Sequence, residues 1–333
     1  MRDTQTVVSI IIPVFNAEPT LLVCLESLKA QSYQYLELLF INDCSVDKSA
    51  ELIRSFAEKW QNDKYIQVKL LEHEQNMGVA AARNTGLDQA TGTYIYYVDA
   101  DDSIETDAIE MAVQCALKND ADIVGFNWFL TFSNNKRRMN QSTFNTAWEA
   151  ISLMLCGRMR WNLWLFLTKR SLYENNNIRF IPGNNMGEDL MVSIKLFSRA
   201  QRVIYLDKAL YHYRQSNTQS LTKTYSAQHI SQVTENVKEV ELFLRNSKFE
   251  NKIGDLFFYL KLNIKLPLLM SQKTLNYSCW VNWFPEANEF VLKNKSLPLR
   301  TRILQWLAVH KQYWALKLYN LLVFRIIYGV LYK

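Results

Sequence analysis

The chain has 333 residues, of which 49% are hydrophobic and 21% charged, with 38 Lys and Arg against 32 Asp and Glu. This composition is that of a globular protein, and nine glycines and six prolines are too few for a collagen-like or loop-dominated one. The net charge of +6 is modest and no long basic run occurs, which argues against nucleic acid as a partner.

Five cysteines stand far apart and form no Cys-x-x-Cys pair. An odd, scattered set of this kind does not predict a disulfide framework or a structural zinc site, and it fits the reducing cytosol. The first residues, MRDTQTVVSI, lead directly into a strand-like run without the long apolar core of a signal peptide. No uncharged apolar stretch is long enough to span a bilayer. We therefore expect a cytoplasmic protein.

The first 130 residues alternate between two periodicities. The continuous apolar run VVSIIIPVF predicts a strand buried on both faces, and the leucines at positions 21, 22, 25 and 28 predict one face of a helix. The alternation continues through LELLFIN, residues 46–60, IQVKLLE, GVAAARNTGLDQA, TYIYYV, IETDAIEMAVQCALKN and ADIVGF. This order of strands and helices predicts a doubly wound α/β sheet flanked by helices.

Four loops follow the carboxyl ends of the predicted strands, where ligands bind in sheets of this kind. They are residues 13–17, 42–47, 73–78 and 99–103, and all four are polar or acidic. The last belongs to YVDADD, in which three aspartates follow an apolar strand. Carboxylates this close resist ionisation, so a cation is expected between them. An acidic turn that caps the next helix is the alternative interpretation.

The alternation ends near residue 130. A polar and basic loop or hairpin, SNNKRRMNQSTFN, precedes the helix-like AWEAISLMLC and the Trp-rich RMRWNLWLFL. The turn-rich IPGNNMGED then leads into the helix LMVSIKLFSRA and two short strands, RVIYL and ALYHYR. From Ser226 onward the pattern is almost entirely helical. We therefore place a soft boundary between a first domain, residues 1–225, and a helical C-terminal region, residues 226–333.

Six motifs occur in an order that resembles glycosyltransferase family 2 with the GT-A fold: SIIIPVFN, INDCSVDKS, NMGVAAARNTGL, YVDADD, GEDL and YHYRQSNTQS. The resemblance implies a mixed, mainly parallel sheet with a mostly helical C-terminal region. It also implies an inverting enzyme of bacterial cell-surface polysaccharide synthesis. Such an enzyme would move a sugar from a nucleotide donor, expected to be a UDP-sugar, to a saccharide or lipid-linked saccharide, at the inner face of the cytoplasmic membrane.

The resemblance assigns metal binding to the Asp-x-Asp pattern formed by Asp99, Ala100 and Asp101. Asp101 would coordinate Mn²⁺ or Mg²⁺, and Asp99 would face the ribose or a metal-bound water. Hard oxygen ligands suit either ion, and the donor diphosphate would complete the coordination shell. Asp102 is expected to cap the following helix.

The base of the donor would be held at the end of the first strand, by Pro13, Val14 and Phe15. Core packing is the alternative for Phe15. Asp43 would accept a hydrogen bond from the uracil imide N–H. Relatives commonly carry a second acid before this position and a glycine after it, whereas this chain has Asn42 and Cys44. Both departures leave the identity of the base open.

Basic residues are expected around the diphosphate. Arg83 would reach the base or the diphosphate, while Asn76 and Gly78 shape the loop before it; a surface salt bridge is the alternative for Arg83. His212 and Arg214 alternate along a strand and so point to one face, where both would meet the diphosphate. Packing against aromatic neighbours is the alternative for His212.

Direct displacement at the sugar needs a base that takes the proton of the attacking hydroxyl. The resemblance assigns this role to Asp189, with Glu188 positioning it or the acceptor, and implies inversion at the anomeric carbon. Both acids would otherwise only complement the helix dipole. Trp161 and Trp164 would stack on the acceptor sugar, although Phe166 stands where relatives place a lysine.

The C-terminal segments 253–270 and 306–333 are rich in Trp, Tyr and Leu, with Lys and Arg interspersed. This pattern suits helices on a membrane surface; packing on the catalytic domain and a homodimer contact are the alternatives. Lys317 and Arg325 interrupt the last apolar stretch, which argues against a spanning helix.

Two other functions stay open: a nucleotidyltransferase, although PVFNAEPT lacks its glycine-rich basic loop, and a non-catalytic nucleotide-sugar-binding protein.

Overall fold

The computed structural model describes residues 6–132, 134–215, 226–270 and 274–322. The chain divides into two compact units. The first comprises Met1–Ala150 and Trp161–Leu244, and the second comprises Ile151–Arg160 and Arg245–Lys333. The boundary predicted near residue 225 lies outside the described residues, so it stays a prediction.

The described part of the first unit contains a mixed sheet of nine strands in the order β3-β2-β1-β4-β8-β6-β9-β5, with β7 paired to β6. The strands are β1 (Val8–Val14), β2 (Leu36–Asn42), β3 (Ile66–Glu72), β4 (Tyr94–Tyr97), β5 (Ser103–Ile104), β6 (Ile123–Thr131), β7 (Lys136–Met139), β8 (Phe166–Lys169) and β9 (Val203–Arg214).

The helices alternate with these strands, and after β9 the described elements are all helices. Up to residue 245 they are α1 (Glu18–Lys29), α2 (Ser49–Glu58), α3 (Val79–Gln89), α4 (Ala108–Asn119), α5 (Ala147–Leu155), α6 (Arg170–Asn175), α7 (Glu188–Arg199) and α8 (Ala227–Arg245). The second unit adds α9 (Leu256–Lys265), α10 (Thr274–Asn282), α11 (Leu299–Val309) and α12 (Tyr313–Leu322).

The parallel half of the sheet places the functional loops. Strands β1 to β4 run parallel, and at their carboxyl ends Val14 stands beside Asn42, which stands beside Glu72. Because β1 and β2 are buried along nearly their whole length, their apolar runs are continuous rather than alternating. The four loops predicted to converge therefore leave the sheet at one edge, as expected.

Three local predictions were wrong. In α1 the buried face is Leu21, Cys24, Leu25 and Leu28, while Leu22 is exposed because it lies off that stripe. The two short strands predicted after α7 are one strand, β9, with an irregularity in its pairing near Asn127 of β6. The helix expected directly after YVDADD begins only at Ala108, because Ser103 and Ile104 form β5 against β9. The basic segment after β6 does form the predicted hairpin, through β7.

The regular elements in the described residues of the second unit are all helices, as the pattern after Ser226 predicted. Its core contains a buried lysine, Lys265, whose ammonium lies 4.1 Å from the centre of the Trp280 ring. Lys265 donates to the carbonyls of Trp283 and Phe284 and to the side chain of Asn288, so it satisfies the chain just after α10. Burial lowers the pKa of Lys265 to about 7. Across the described ranges, no helix combines the length and the apolar character needed to cross a membrane.

Candidate active site

The end of β1 is fixed by hydrogen bonds to the neighbouring loop. The Asn16 N–H donates to Ser45 Oγ at 3.0 Å, and the Asn16 side chain accepts from the Val46 N–H at 2.9 Å. Asn16 adopts a positive φ of 49°, which asparagine tolerates better than most residues. The preceding Phe15 is 51% exposed, so core packing does not explain it. Phe15 thus presents an aromatic ring at the edge where the donor base is expected.

Asp43 is buried at the end of β2 and organises the loop after β3. Its Oδ1 accepts from the Met77 N–H at 2.8 Å and lies 2.7 Å from His73 Nδ1, and its Oδ2 accepts from the Gly78 N–H at 2.7 Å. These partners occupy three of the roughly four lone-pair positions of a carboxylate. Asp43 therefore shapes residues 73–78 in this structure, and its predicted contact with uracil stays a prediction.

Gly78 occupies a position that only glycine fits. Its φ is +85°, and a Cβ there would lie 2.1 Å from the Asn185 side chain. The same Asn185 accepts from the Ala80 N–H in the first turn of α3. Gly78 thus lets the chain pass close to the loop before α7 and begin α3, which agrees with the predicted role in shaping this loop. Asn76 is exposed on the same loop.

Asn42 and Cys44, where the family resemblance leads us to expect an acid and a glycine, both take part in the turn after β2. Cys44 has a φ of +61°, in the left-handed region that favours glycine, and its Sγ lies 3.6 Å from the Glu74 carbonyl. Asn42 bonds Glu72 and the Ser45 N–H, so it holds its neighbours as an amide. The two departures change the chemistry at these positions without removing the turn.

Three exposed apolar side chains, one from each of the first three loops, accompany these polar contacts: Phe15, Val46 and Met77. Met77 also lines an open cavity of about 520 Å³, together with Glu72, His73, Glu74 and Gln75. Sequence patterns did not indicate Val46, His73 or Met77. An exposed Met or Val in a loop carries no motif, and the contact between His73 and Asp43 joins residues 30 positions apart.

Arg83 links the acidic motif to the acids of α7. Its Nη1 lies 2.6 Å from Asp189 Oδ1 and 2.8 Å from Glu188 Oε1, and its Nη2 lies 3.5 Å from Asp99 Oδ1. Arg83 is only 3% exposed, so the alternative of a surface salt bridge is wrong. Its guanidinium also lies over the rings of Tyr97 and Phe180, at 5.7 and 5.6 Å. Its predicted contact with the base or diphosphate stays a prediction.

The cluster holds more negative than positive charge in a buried place. Burial raises the pKa of Glu188 to about 8, with the charge of Asp189 adding to the effect and Arg83 opposing it. Burial likewise raises the pKa of Asp99 to about 6, again against Arg83, while Asp101 and Asp189 add to the rise. Burial alone would lower the pKa of Arg83, but Asp189, Glu188 and Asp99 together raise it. Arg83 is therefore charged. The cost of burying negative charge around it appears as the raised pKa values of Glu188 and Asp99.

Asp102 does not cap a helix, contrary to the prediction. It is buried, its Oδ2 accepts from the Tyr211 hydroxyl at 2.8 Å, and its Oδ1 accepts from the Arg214 N–H at 2.8 Å. The Tyr211 oxygen in turn accepts from the Asp99 N–H at 3.1 Å. Burial, with the nearby charges of Asp101 and Asp99, raises the pKa of Asp102 well above its ordinary value. Asp102 thus fastens the acidic loop to the end of β9.

His212 is held inside the protein by both ring nitrogens. Nε2 lies 2.9 Å from Glu105 Oε1 and Nδ1 lies 3.0 Å from Thr131 Oγ1, while the ring stacks on Phe129. Burial lowers the pKa of His212, against the opposing charge of Glu105. A donor contact would have to replace one of these partners. Arg214, two residues further along β9, is half-buried. Diphosphate binding by the pair stays a prediction.

The two tryptophans predicted to meet the acceptor differ in exposure. Trp164 is 3% exposed and stacks on Tyr211 and Tyr213, so it offers no free ring face to a sugar. Trp161 is half-buried, and its carbonyl accepts from the Ser193 hydroxyl of α7 at 2.7 Å. Phe166, at the position of the relatives' lysine, packs edge-on against Phe197 in the core. Of these three, only Trp161 keeps a surface for an acceptor.

Residues 9–197, more than half of the chain, match the family model described as "Glycosyl transferase family 2". The chain belongs to glycosyl transferase family 2. The family predicted from the six motifs is thus confirmed, and the match begins in β1 and ends in α7. It therefore includes Arg83, Asp99, Glu188 and Asp189.

Individual comparisons agree with the family and the fold. The chain is 33% identical over 223 residues to the uncharacterized glycosyltransferase EpsJ of Bacillus subtilis, and the match covers 65% of this chain and 63% of EpsJ. The chain thus spans slightly less than two thirds of that relative.

Among solved structures, TarS 1–349 of S. aureus in complex with UDP-GlcNAc has a TM-score of 0.68 at 21% identity, covering 94% of this chain and 89% of that one. The mannosyltransferase PcManGT from Pyrobaculum calidifontis, in complex with GDP-Man and Mn²⁺, has a TM-score of 0.55 at 16% identity, covering 96% and 85%. These likenesses confirm the predicted GT-A fold.

Proposed function

We propose that this family 2 protein is an inverting glycosyltransferase. It takes a sugar from a UDP-sugar and transfers it to a saccharide or lipid-linked saccharide in cell-surface polysaccharide synthesis. One observation carries the proposal: a single buried guanidinium, that of Arg83, contacts both Asp99 of the acidic motif and Asp189 of α7. The residues proposed for the donor and those proposed for proton transfer, 90 positions apart in sequence, thus belong to one site.

The uridine part of the donor would lie over the loops after β1, β2 and β3. Phe15 presents an exposed aromatic ring there, with Val46 and Met77 as exposed apolar neighbours. Pro13 and Val14 lead into this ring at the end of β1. The free lone pair of Asp43 would accept from the uracil imide. The TarS structure, which has the same fold, contains UDP-GlcNAc and supports a uridine donor for this chain.

Asp99 and Asp101 would hold a divalent cation. Their carboxylate oxygens are the ligands that Mg²⁺ and Mn²⁺ prefer. Asp101 contributes to the raised pKa of Asp99, so the loop carries an excess of negative charge that a cation would offset. No cluster of three or more His, Cys, Asp or Glu suited to a metal occurs among the described residues, so donor phosphates and water would supply the other ligands. An ion held there would supply positive charge to stabilise the leaving diphosphate. The Mn²⁺ of PcManGT supports this assignment.

Asp189 would act as the base. The acceptor oxygen forms its bond to the anomeric carbon, its proton passes to a carboxylate oxygen of Asp189, and the bond to the diphosphate breaks with its electron pair. Arg83 contacts Oδ1 of Asp189 at 2.6 Å and so fixes the orientation of the carboxylate. Burial and the charge of Asp189 raise the pKa of Glu188, which favours its uncharged form beside the base. Attack from the side opposite the leaving group inverts the anomeric carbon.

The acceptor would meet Trp161, the more exposed of the two predicted tryptophans. Lipid-linked acceptors are presented at a membrane, and the enzyme would then work in the cytoplasm at the inner face of the cytoplasmic membrane. Arg214 would approach the diphosphate from the end of β9, and His212 would do so only after exchanging a partner.

Release of UDP from a panel of UDP-sugars, measured with Mn²⁺ and acceptor, tests the proposal. A general base contributes to turnover and little to donor binding, so Asp189→Asn should lower turnover about 100-fold or more and leave UDP affinity nearly unchanged. Asp88→Asn is the matched control, because Asp88 is an exposed acid of α3 that pairs with Arg179.

Near wild-type turnover in Asp189→Asn would remove Asp189 as the base and leave Glu188 as the next candidate. A helix-dipole role alone predicts that outcome, because loss of one charge from the first turn of α7 would lower stability slightly and leave turnover unaffected. Failure of every UDP-sugar to yield UDP, with UDP still bound, would favour the non-catalytic alternative. Pyrophosphate release from a nucleoside triphosphate and a sugar phosphate would favour the nucleotidyltransferase.

A further inference from the structure

The positive charge of the chain is concentrated at its C-terminal end. Residues 290–333 contain eight Lys and Arg and no Asp or Glu, whereas the preceding 289 residues contain 30 basic and 32 acidic residues. The net positive charge of the whole protein therefore comes from this last stretch. A segment of one sign attracts surfaces of the opposite sign and repels a second copy of itself.

The basic side chains of this stretch have no acidic partners in the part of the chain that the structure describes. Six of the eight lie among the described residues, and none of these six forms an ion pair there. They are Lys293, Lys295, Arg300, Arg302, Lys311 and Lys317. In the same unit, upstream of this stretch, Lys261 does pair with Glu286 at 2.8 Å. The charge of residues 290–322 is thus left for a partner outside the chain.

The same stretch exposes two apolar stripes, which we call the C-terminal face. On α11 the stripe is Leu299, Ile303 and Trp306, and on α12 it is Trp314, Leu318, Leu321 and Leu322. The spacing of three and four residues places each set on one side of its helix. Trp314 is 68% exposed. Because Leu304 and Ala308 of α11 and Leu316 of α12 are buried, each helix has one apolar side in the core and a second one uncovered.

This enrichment is specific to the end of the chain. The described residues include nineteen large hydrophobic side chains that are exposed, and eight of them lie between Leu292 and Leu322. Scattered exposed leucines need no explanation, but a cluster on consecutive helices marks an interaction surface. Tryptophan and leucine with interspersed lysines are the composition of helices that lie in the headgroup region of an anionic membrane.

We propose that the C-terminal face binds the surface of an anionic lipid bilayer. Helix α11 has 11 residues, far fewer than the roughly 20 needed to span a bilayer, and no helix in the described ranges is long and apolar enough to do so, so the C-terminal face would lie on the bilayer surface. A second copy of the chain would bring lysine and arginine against lysine and arginine, and a nucleic acid would leave the tryptophans and leucines uncovered. Only an anionic bilayer satisfies both the charge and the apolar stripes.

Co-sedimentation of the full chain with vesicles tests this proposal. Phosphatidylcholine vesicles that contain phosphatidylglycerol should carry the protein down, pure phosphatidylcholine vesicles should not, and added salt should weaken the binding. Trp314→Ser with Leu318→Ser removes apolar contact, and Lys311→Glu with Lys317→Glu reverses charge. Each basic residue near an anionic surface contributes about fivefold to binding, so the variant that reverses two charges should bind about 25-fold more weakly or worse.

Leu117→Ser with Lys118→Glu is the matched control, because both residues are exposed on α4 of the first unit. It should bind vesicles like the wild type, and all variants should keep their thermal unfolding temperature. Equal binding to both vesicle types, or an equal loss in the control, would overturn the proposal. So would light scattering that shows a dimer that the face variants dissociate while vesicle binding stays unchanged. UDP binding without vesicles is unaffected in every arm, so this test is independent of the proposed catalysis.

Discussion

Replacing Arg83 by methionine removes the one cation that the structure places among Asp99, Glu188 and Asp189. Methionine has nearly the length of the arginine stem and suits the neighbouring rings of Tyr97 and Phe180, so the change acts mainly on charge. Arg83→Lys is the conservative counterpart, because it keeps the charge but not the planar fork that contacts two carboxylates at once.

The size of the effect follows from burial and distance. Arg83 is 3% exposed and its Nη1 lies 2.6 Å from Asp189 and 2.8 Å from Glu188. Removing one partner of a buried ion pair costs about 3–5 kcal/mol. Because burial and the charge of Asp189 raise the pKa of Glu188 and so favour its uncharged form, we expect the lower end, about 3 kcal/mol. For a unit of this size that lowers the unfolding temperature by roughly 6–12 °C.

The same variant should lose turnover. Misplacement of a reacting group by about 1 Å costs on the order of 100-fold, so turnover of Arg83→Met should fall by about that factor, with Arg83→Lys in between. Arg83 holds down the pKa values of Asp99 and Glu188, and without it both should rise further. Since Asp99 must be ionised to serve as the proposed metal ligand, the acidic limb of the turnover profile should then move to higher pH. The measurements are calorimetry with UDP, saturating turnover across pH and thermal unfolding.

One result would refute this reasoning. If UDP affinity falls as much as turnover, Arg83 serves the diphosphate or base, which is the role first predicted from its motif. An unchanged unfolding temperature together with an unchanged pH profile would also contradict the buried ion cluster. Loss of turnover with UDP affinity retained and the acidic limb moved would support Arg83 as a positioning residue for Asp189.

Three further predictions follow from the site. Asp43→Asn should weaken UDP more than ADP in calorimetry, because only uracil offers an imide N–H; equal losses would mean that Asp43 only shapes the loop it bonds. Asp101→Asn should abolish the Mn²⁺ dependence of UDP binding with the unfolding temperature kept, and unchanged affinity would remove Asp101 as the metal ligand. Burial raises the pKa of Glu188 from 4.5 to about 8, so between these values the folded protein holds a proton that the unfolded chain has released. Stability should then fall as pH rises, by up to about 1.4 kcal/mol per pH unit, and Glu188→Gln should flatten that slope in urea unfolding between pH 6 and 8.

The parallel half of the sheet was predictable because its signal is local. Strands β1 and β2 are buried on both faces, which requires continuous apolar runs, and such runs are visible in the sequence. Once the strands are parallel, their carboxyl ends meet at one edge whatever the side chains are. The order of the motifs then fixed the positions of the four loops.

What failed was decided by partners distant in sequence. Strand β5 has two residues, too few to show a periodicity, and exists because it pairs with Tyr211 and His212 of β9. An aspartate before an apolar helix is an ordinary capping signal, yet Asp102 bonds Tyr211 and Arg214 instead. Arg83 and Glu188, which pair with each other, are 105 positions apart, and the local sequence around neither residue predicts the contact. A local sequence pattern cannot show whether a side chain bonds to a partner nearby in sequence or to a distant one.

The three aspartates of YVDADD therefore do different work, although the motif presents them as one acidic group. Asp99 pairs with Arg83, which also pairs with Asp189. Asp102 accepts a hydrogen bond from Tyr211 of β9. The Tyr211 hydroxyl joins the two, because it donates to Asp102 and accepts from the Asp99 N–H. A cation at Asp101 would then be positioned by two fixed neighbours in a loop that is otherwise short and strongly charged. Two of the three carboxylates thus have identified partners: Asp99 pairs with Arg83, and Asp102 is buried against the Tyr211 hydroxyl and the Arg214 N–H.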